Sequence, residues 1–89
     1  MVIPLNLSPL NLVNNFLLLI RDGCHLCDNM TSSLTQHPLF NRINLSFLDI
    51  DNNDELHQQF FDKIPVLLKN NQIVCQTFFN EELFAKMVD

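Results

Sequence analysis

Glycine is almost missing from this 89-residue chain: Gly23 is the only one. Turns that need a left-handed backbone must then be made with Asn, which is abundant here and tolerates that conformation. Trp and Tyr are absent while Phe occurs eight times, so the core is apolar and has few aromatic polar handles. Cations are scarce too, with five Lys and Arg against ten Asp and Glu and a net charge of −5. That balance excludes a nucleic-acid backbone as partner, which demands clustered Lys and Arg. Long apolar runs are lacking: Phe16–Ile20 is far too short to span a bilayer, so no membrane association is expected. The N-terminus has no basic region and is broken by Pro4, Pro9 and several Asn, so no secretory signal is expected.

What is present is enough for one small globular domain. With 47% hydrophobic and 17% charged residues the composition is that of a folded globule and not of a disordered chain. A domain this short buries about 60–65% of its unfolded surface, which supports one modest core. Three cysteines do not make a disulfide scaffold. The expected compartment is the reducing cytoplasm, where a CxxC pair is catalytic or metal-binding more often than structural.

Residues 1–14 carry two prolines and no helical period, and read as an extended arm ahead of a domain over residues 15–89. Phe16–Ile20 suits a central strand covered on both faces. Asp22-Gly23 turns the chain into a helix from about Cys24 to Gln36, with Leu26, Met30 and Leu34 as its apolar face and Pro38 ending it. Leu45–Ile50 reads as the second strand. Asn52-Asn53-Asp54-Glu55 caps a short helix that buries Leu56, Phe60 and Phe61. Pro65–Leu68 and Ile73–Cys75 form a hairpin across Lys69-Asn70-Asn71-Gln72. Asn80-Glu81-Glu82 then opens a last helix with Leu83, Phe84, Met87 and Val88 on one face. The order β-α-β-α-β-β-α predicts a four-stranded mixed sheet flanked by helices, its first two strands parallel.

The chemistry is concentrated in Gly23-Cys24-His25-Leu26-Cys27-Asp28. Two thiols three residues apart at a helix start can close a small disulfide ring. The free backbone N–H groups and positive dipole end of that helix activate the first of them. An Ile64-Pro65 step lies about forty residues downstream.

Gly23–Cys27 after a strand, Leu48-Asp49-Ile50-Asp51, Phe61-Asp62-Lys63-Ile64-Pro65-Val66-Leu67 and Phe79–Leu83 together resemble the thioredoxin-like fold, and within it the glutaredoxin-like family. The resemblance runs from about residue 15 to residue 89, and its C-H-L-C-D wording looks like small glutaredoxin-like proteins rather than C-P-Y-C glutaredoxins. It implies a thiol–disulfide oxidoreductase acting as a monomer on a protein disulfide or a small thiol substrate, without metal. Cys24 is then the nucleophile, with a pKa below the free value of about 8.5, and Cys27 resolves the mixed disulfide. Arg21 matches a basic position of the family and adds positive potential, whereas Asp28 opposes it. His25 is placed to shuttle a proton. Pro65 is expected in a cis peptide with Ile64, whose backbone meets an extended substrate.

The family also implies glutathione as co-substrate, held by a Gly-Gly-Asp segment after the fourth strand. Here that stretch is Cys75-Gln76-Thr77-Phe78-Phe79, whose side chains obstruct close backbone approach and argue against glutathione. Two other readings stay open. The CxxC pair serves as metal or iron–sulfur ligands, completed by His25 or a partner; or the fold is a non-catalytic module whose groove docks a partner. Blander readings also stand beside the individual residues. His25 is then a spacer, Arg21 a solvated strand-end charge and Pro65 a trans strand-opening residue. Cys75, on the side of Ile73, reads as an inert buried thiol. His37 and His57 fall in polar surface contexts without chemistry.

Overall fold

The computed structural model describes residues 14–89. Apart from Asn14, the expected N-terminal arm lies outside the described residues. Four strands, β1 (Asn15–Ile20), β2 (Asn44–Asp49), β3 (Val66–Lys69) and β4 (Gln72–Gln76), form one mixed sheet in the order β2-β1-β3-β4. Three helices accompany it: α1 (His25–Thr35), α2 (Asp54–Phe60) and α3 (Glu81–Met87). β1 runs parallel to β2 and antiparallel to β3, and β3 is antiparallel to β4. This is the expected β-α-β-α-β-β-α order of the thioredoxin-like fold.

Local sequence accounts for the element ends. Asn53 and Asn80 cap α2 and α3, their side-chain oxygens accepting the Leu56 and Leu83 N–H groups at 3.0 Å. The β3–β4 turn uses Asn70 and Asn71 at φ 52° and 66°, the two left-handed residues that a tight hairpin requires. Gly23, between β1 and α1, sits at φ +78°, and a Cβ there meets no atom within 4 Å. Backbone conformation, not space, therefore demands glycine at this turn.

The core has two halves because β1 is apolar on both sides. Phe16 and Leu18 face Met30 and Leu34 of α1 and Phe84 of α3, together with Leu67, Val74 and Cys75. Leu19 faces the opposite way, onto Ile50, Phe60 of α2 and Val66. Phe84 is fully buried and packs on Phe16 in a tilted pair, with ring centroids 5.3 Å apart. Buried Lys69 crosses the ring of Phe16 at 5.6 Å and donates to the main-chain oxygen of Met87 and to the Asp89 carboxylate, tying α3 to the sheet. Asn14 donates to and accepts from the Asp89 main chain, joining the two ends of the described chain.

Five expectations are corrected. Leu26 is 37% exposed; the buried face of α1 is Cys27, Met30 and Leu34, and Leu26 lies one step round the helix from it. Phe61 caps the end of α2 and stays 53% exposed, stacked on His57 rather than buried. Leu83 is exposed on α3, next to buried Phe84. Ile73 and Cys75 do not share a side. The β3–β4 register shifts, pairing Leu68 with Ile73 but Leu67 with Cys75, so Val74 is an extra residue in the ladder. The bulge lets both Val74 and Cys75 turn inward while Ile73 is 51% exposed. Finally, His37 is a packing residue. Its ring stands edge-on to Phe84 at 5.0 Å, its Nδ1 accepts the Leu39 N–H, and its Nε2 meets the Glu81 carboxylate at 2.9 Å.

Truncating Phe84 to Ala should cost about 4 kcal/mol in urea unfolding, the usual loss for a buried aromatic. Ile73→Ser should stay within about 0.5 kcal/mol, as an exposed position does; a larger loss contradicts the bulge. Gly23→Ala should cost about 1 kcal/mol through left-handed backbone strain alone, with Gly23→Asn closer to the parent.

Candidate redox site

Strand register gathers four segments at one end of the sheet. The pairing of Ile20 with Asp49 sets Arg21 beside the turn that carries Asp51. Leu19 pairs with Val66, which brings Pro65 level with the end of β1 and hence with the turn into α1. Val66 pairs with Gln76, so Thr77 continues past β4 against Pro65. The CxxC turn follows β1 at this same end.

Cys24 is the N-cap of α1, with extended backbone, and its sulfur accepts the Cys27 N–H at 3.0 Å. The Asp28 N–H donates to the Cys24 carbonyl at 3.1 Å, closing the first helical turn. The Cys24 and Cys27 sulfurs stand at disulfide distance, with Cα atoms 5.2 Å apart. The two are unequally accessible: Cys24 is half-buried, while Cys27 is 3% exposed. A sulfur at an N-cap takes the place of a Ser or Asp oxygen and receives an otherwise unpartnered backbone donor. Negative charge on that sulfur is stabilised by the same donor and by the helix dipole.

His25 is exposed in the first position of α1 and makes no side-chain hydrogen bond among the described residues. Arg21 is spoken for. Its Nε donates to the Asp51 carboxylate at 3.1 Å, and the other Asp51 oxygen faces His57 Nε2 at 3.6 Å. Both partners of the Arg21–Asp51 pair are over 40% exposed, so its worth to stability is under about 1 kcal/mol. It sets an acidic group against the basic residue before the CxxC. The Ile64–Pro65 peptide is cis, and Pro65 is buried.

Thr77 holds this turn from the other side. Its N–H donates to the Pro65 carbonyl at 2.7 Å and its Oγ1 to the Lys63 carbonyl at 3.2 Å, bracketing Ile64. It does so at φ 69°, a left-handed conformation that β-branched residues rarely adopt. Beyond it, a cleft of about 150 Å³ runs between α1 and the segment into α3. Leu26, Asn29, Met30 and Ser33 form one wall, residues 77–79 the other. Phe78 is 69% exposed at its mouth.

Sequence reasoning places Thr77 near the site only as part of the stretch after the fourth strand, and does not find Asp51 as the partner of Arg21 or Asn29 and Ser33 as neighbours of the site. Polar residues without a motif carry no local signal of what they face. Cys75 is elsewhere, in the main core; burial pushes its thiol up, against a backbone hydrogen bond at Asn80 that lowers it. Among the described residues no three His, Cys, Asp or Glu cluster to hold a metal, so ligands besides the CxxC pair have to come from another molecule. No helix of the described residues is long and apolar enough to cross a membrane.

The solution NMR structure of protein Ne2328 from Nitrosomonas europaea is similar to this chain. The two are 26% identical with a TM-score of 0.73, over 84% of this chain and 91% of that one. No curated protein matches it. A sheet of this order, a cysteine pair at disulfide distance on the cap of α1, and a sequence match over residues 15–89 place the chain in the glutaredoxin-like domain family (DUF836).

Proposed function

We propose that this protein is a dithiol–disulfide oxidoreductase, with Cys24 as nucleophile and Cys27 as resolving thiol. The observation that carries this reading is the cap of α1. A part-buried Cys24 accepts a helix N–H at its sulfur, with the sulfur of buried Cys27 at disulfide distance.

The steps follow from that arrangement. In the reduced protein the Cys24 thiolate, favoured by the Cys27 N–H, attacks one sulfur of a substrate disulfide. A Cys24–substrate bond forms, the substrate S–S bond breaks, and the substrate's other sulfur leaves as a thiolate and takes a proton. Cys27, deprotonated, then attacks the Cys24 sulfur and releases the second substrate thiol. Two electrons have passed to the substrate and the Cys24–Cys27 disulfide is closed; a thiol reductant reopens it by the reverse exchange. Burial protects Cys27 from attack until Cys24 is linked to substrate. His25, exposed beside both sulfurs in the chain, is the residue placed to carry the proton. The main chain of Ile64 and Pro65 offers the edge along which an extended substrate lies. Arg21 contributes through its pair with Asp51 and not as a free charge. The reaction needs no metal or resident cofactor, and a monomer in a reducing cytoplasm suffices for it.

Equilibrating the protein across a series of thiol buffers and weighing it after alkylation tests the reading. A reversible two-electron transition of Cys24–Cys27 is expected; a pair that never closes or never reopens overturns it. Cys24→Ser should abolish exchange. Cys27→Ser should accumulate the mixed disulfide, visible as an intact adduct by mass. In the reduced protein, labelling near neutral pH should fall on Cys24 and spare Cys75, whose raised thiol and burial both suppress the thiolate. Labelling of Cys75 ahead of Cys24 is the contrary result.

A further inference from the structure

Thr77 occupies backbone that suits its side chain badly. It is the middle residue of a γ-turn after β4, in which the Phe78 N–H donates to the Gln76 carbonyl at 2.7 Å. Its φ of 69° makes this the rare and strained form of that turn. Glycine would enter the same conformation without a steric penalty, whereas a β-branched residue does not. Strain of this kind persists only where the surroundings hold it, and it gathers at functional sites.

What the turn holds is the main chain around Ile64. The Thr77 N–H donates to the Pro65 carbonyl and its Oγ1 to the Lys63 carbonyl. From the other side, the Phe60 carbonyl at the end of α2 accepts the Lys63 N–H at 2.8 Å and the Ile64 N–H at 3.2 Å. Pro65 has no N–H to give. One polar group of the Lys63–Pro65 main chain is left over. The Ile64 carbonyl has no hydrogen-bond partner among the described residues. Ile64 is half-buried, where an unpaired carbonyl gains from any donor brought to it. Thr77 and Leu26 line the same cleft, and Leu26 lies between the two cysteines in the chain, so this clamp and the CxxC are neighbours.

We propose that Thr77 is a positioning residue. By fixing the carbonyls on both sides of Ile64, it presents the Ile64 carbonyl to one main-chain N–H of a cysteine-bearing polypeptide. The substrate class is thus a disulfide with a peptide N–H near its sulfur. That substrate is read by a single acceptor and not by a two-bond strand pairing, because the Ile64 N–H is engaged by Phe60. The proposal rests on the dithiol reading, and the bonds and electrons exchanged are those of the steps above.

The reduced protein is tested on the symmetric disulfide of a blocked Ala-Cys-Ala peptide, with hydroxyethyl disulfide as a reference that carries no peptide group. Each peptide N–H is removed in turn by two replacements. An ester removes it without adding bulk; an N-methyl amide removes it and leaves the neighbouring carbonyl a full acceptor. Rates are divided by those of the same disulfides with dithiothreitol, which corrects for the leaving thiol. One amide position should lose about fivefold with both replacements, the effect of a hydrogen bond of roughly 1 kcal/mol. Thr77→Val lacks the hydroxyl, and Thr77→Gly lacks it while fitting the backbone without strain. Both should bring that ratio toward one and lower the peptide rate relative to hydroxyethyl disulfide, whereas Thr77→Ser should retain the ratio. A merely structural Thr77 would change the urea midpoint and leave the ratio alone. No sensitive amide, a loss with only one kind of replacement, a ratio that survives Thr77→Val and Thr77→Gly, or one lost equally in Thr77→Ser overturns the proposal while the dithiol reading stands. A protein inert toward every disulfide, the reference included, overturns both.

Discussion

Burial of β1 on both faces is the constraint from which the rest of the molecule follows. Phe16 and Leu18 are committed to α1 and α3, Leu19 to α2, so the strand can move in neither direction without exposing a core side chain. Its neighbours are held in register by the same packing. Because Ile20 is level with Asp49 and Leu19 with Val66, the ends of three connections arrive at the same place. The site is therefore a product of strand register, and its parts are far apart in the chain but adjacent at one end of the sheet.

The chemistry at that end is built on backbone donors more than on side-chain charge. The one basic residue before the cysteines is paired with Asp51 in solvent, and Asp28 stands in the first turn of α1. What remains to favour a thiolate is the Cys27 N–H and the helix end behind it, both fixed by the fold. Unequal burial of the two cysteines suits the proposed division into an attacking Cys24 and a resolving Cys27.

Scarcity of glycine is resolved position by position. Gly23 takes the turn into α1, two asparagines take the hairpin, and Thr77 takes a left-handed conformation for which threonine is poorly suited. Two hydrogen bonds to the carbonyls on either side of Ile64 hold it there. The segment that glutaredoxins keep open with glycines is thus closed with side chains, and Phe78 and Phe79 turn it into the wall of an apolar cleft.

The fold was legible in the sequence because its signals are local. An uninterrupted apolar strand, Asn caps ahead of Leu56 and Leu83, an Asn-Asn hairpin and a strand–CxxC–helix junction each act within a few residues of themselves. Those signals determined the element order, the parallel first pair and the position of Cys24 and Cys27 at the start of a helix. Tertiary structure decided what depends on a neighbour from elsewhere in the chain. Val74 became an extra residue in the ladder and reversed the facing of Ile73; His37 was drawn between Phe84 and Glu81; Arg21 was claimed by Asp51, thirty residues away. Periodicity reports which residues lie on one face of an element. Only packing determines which face is covered and which charges meet.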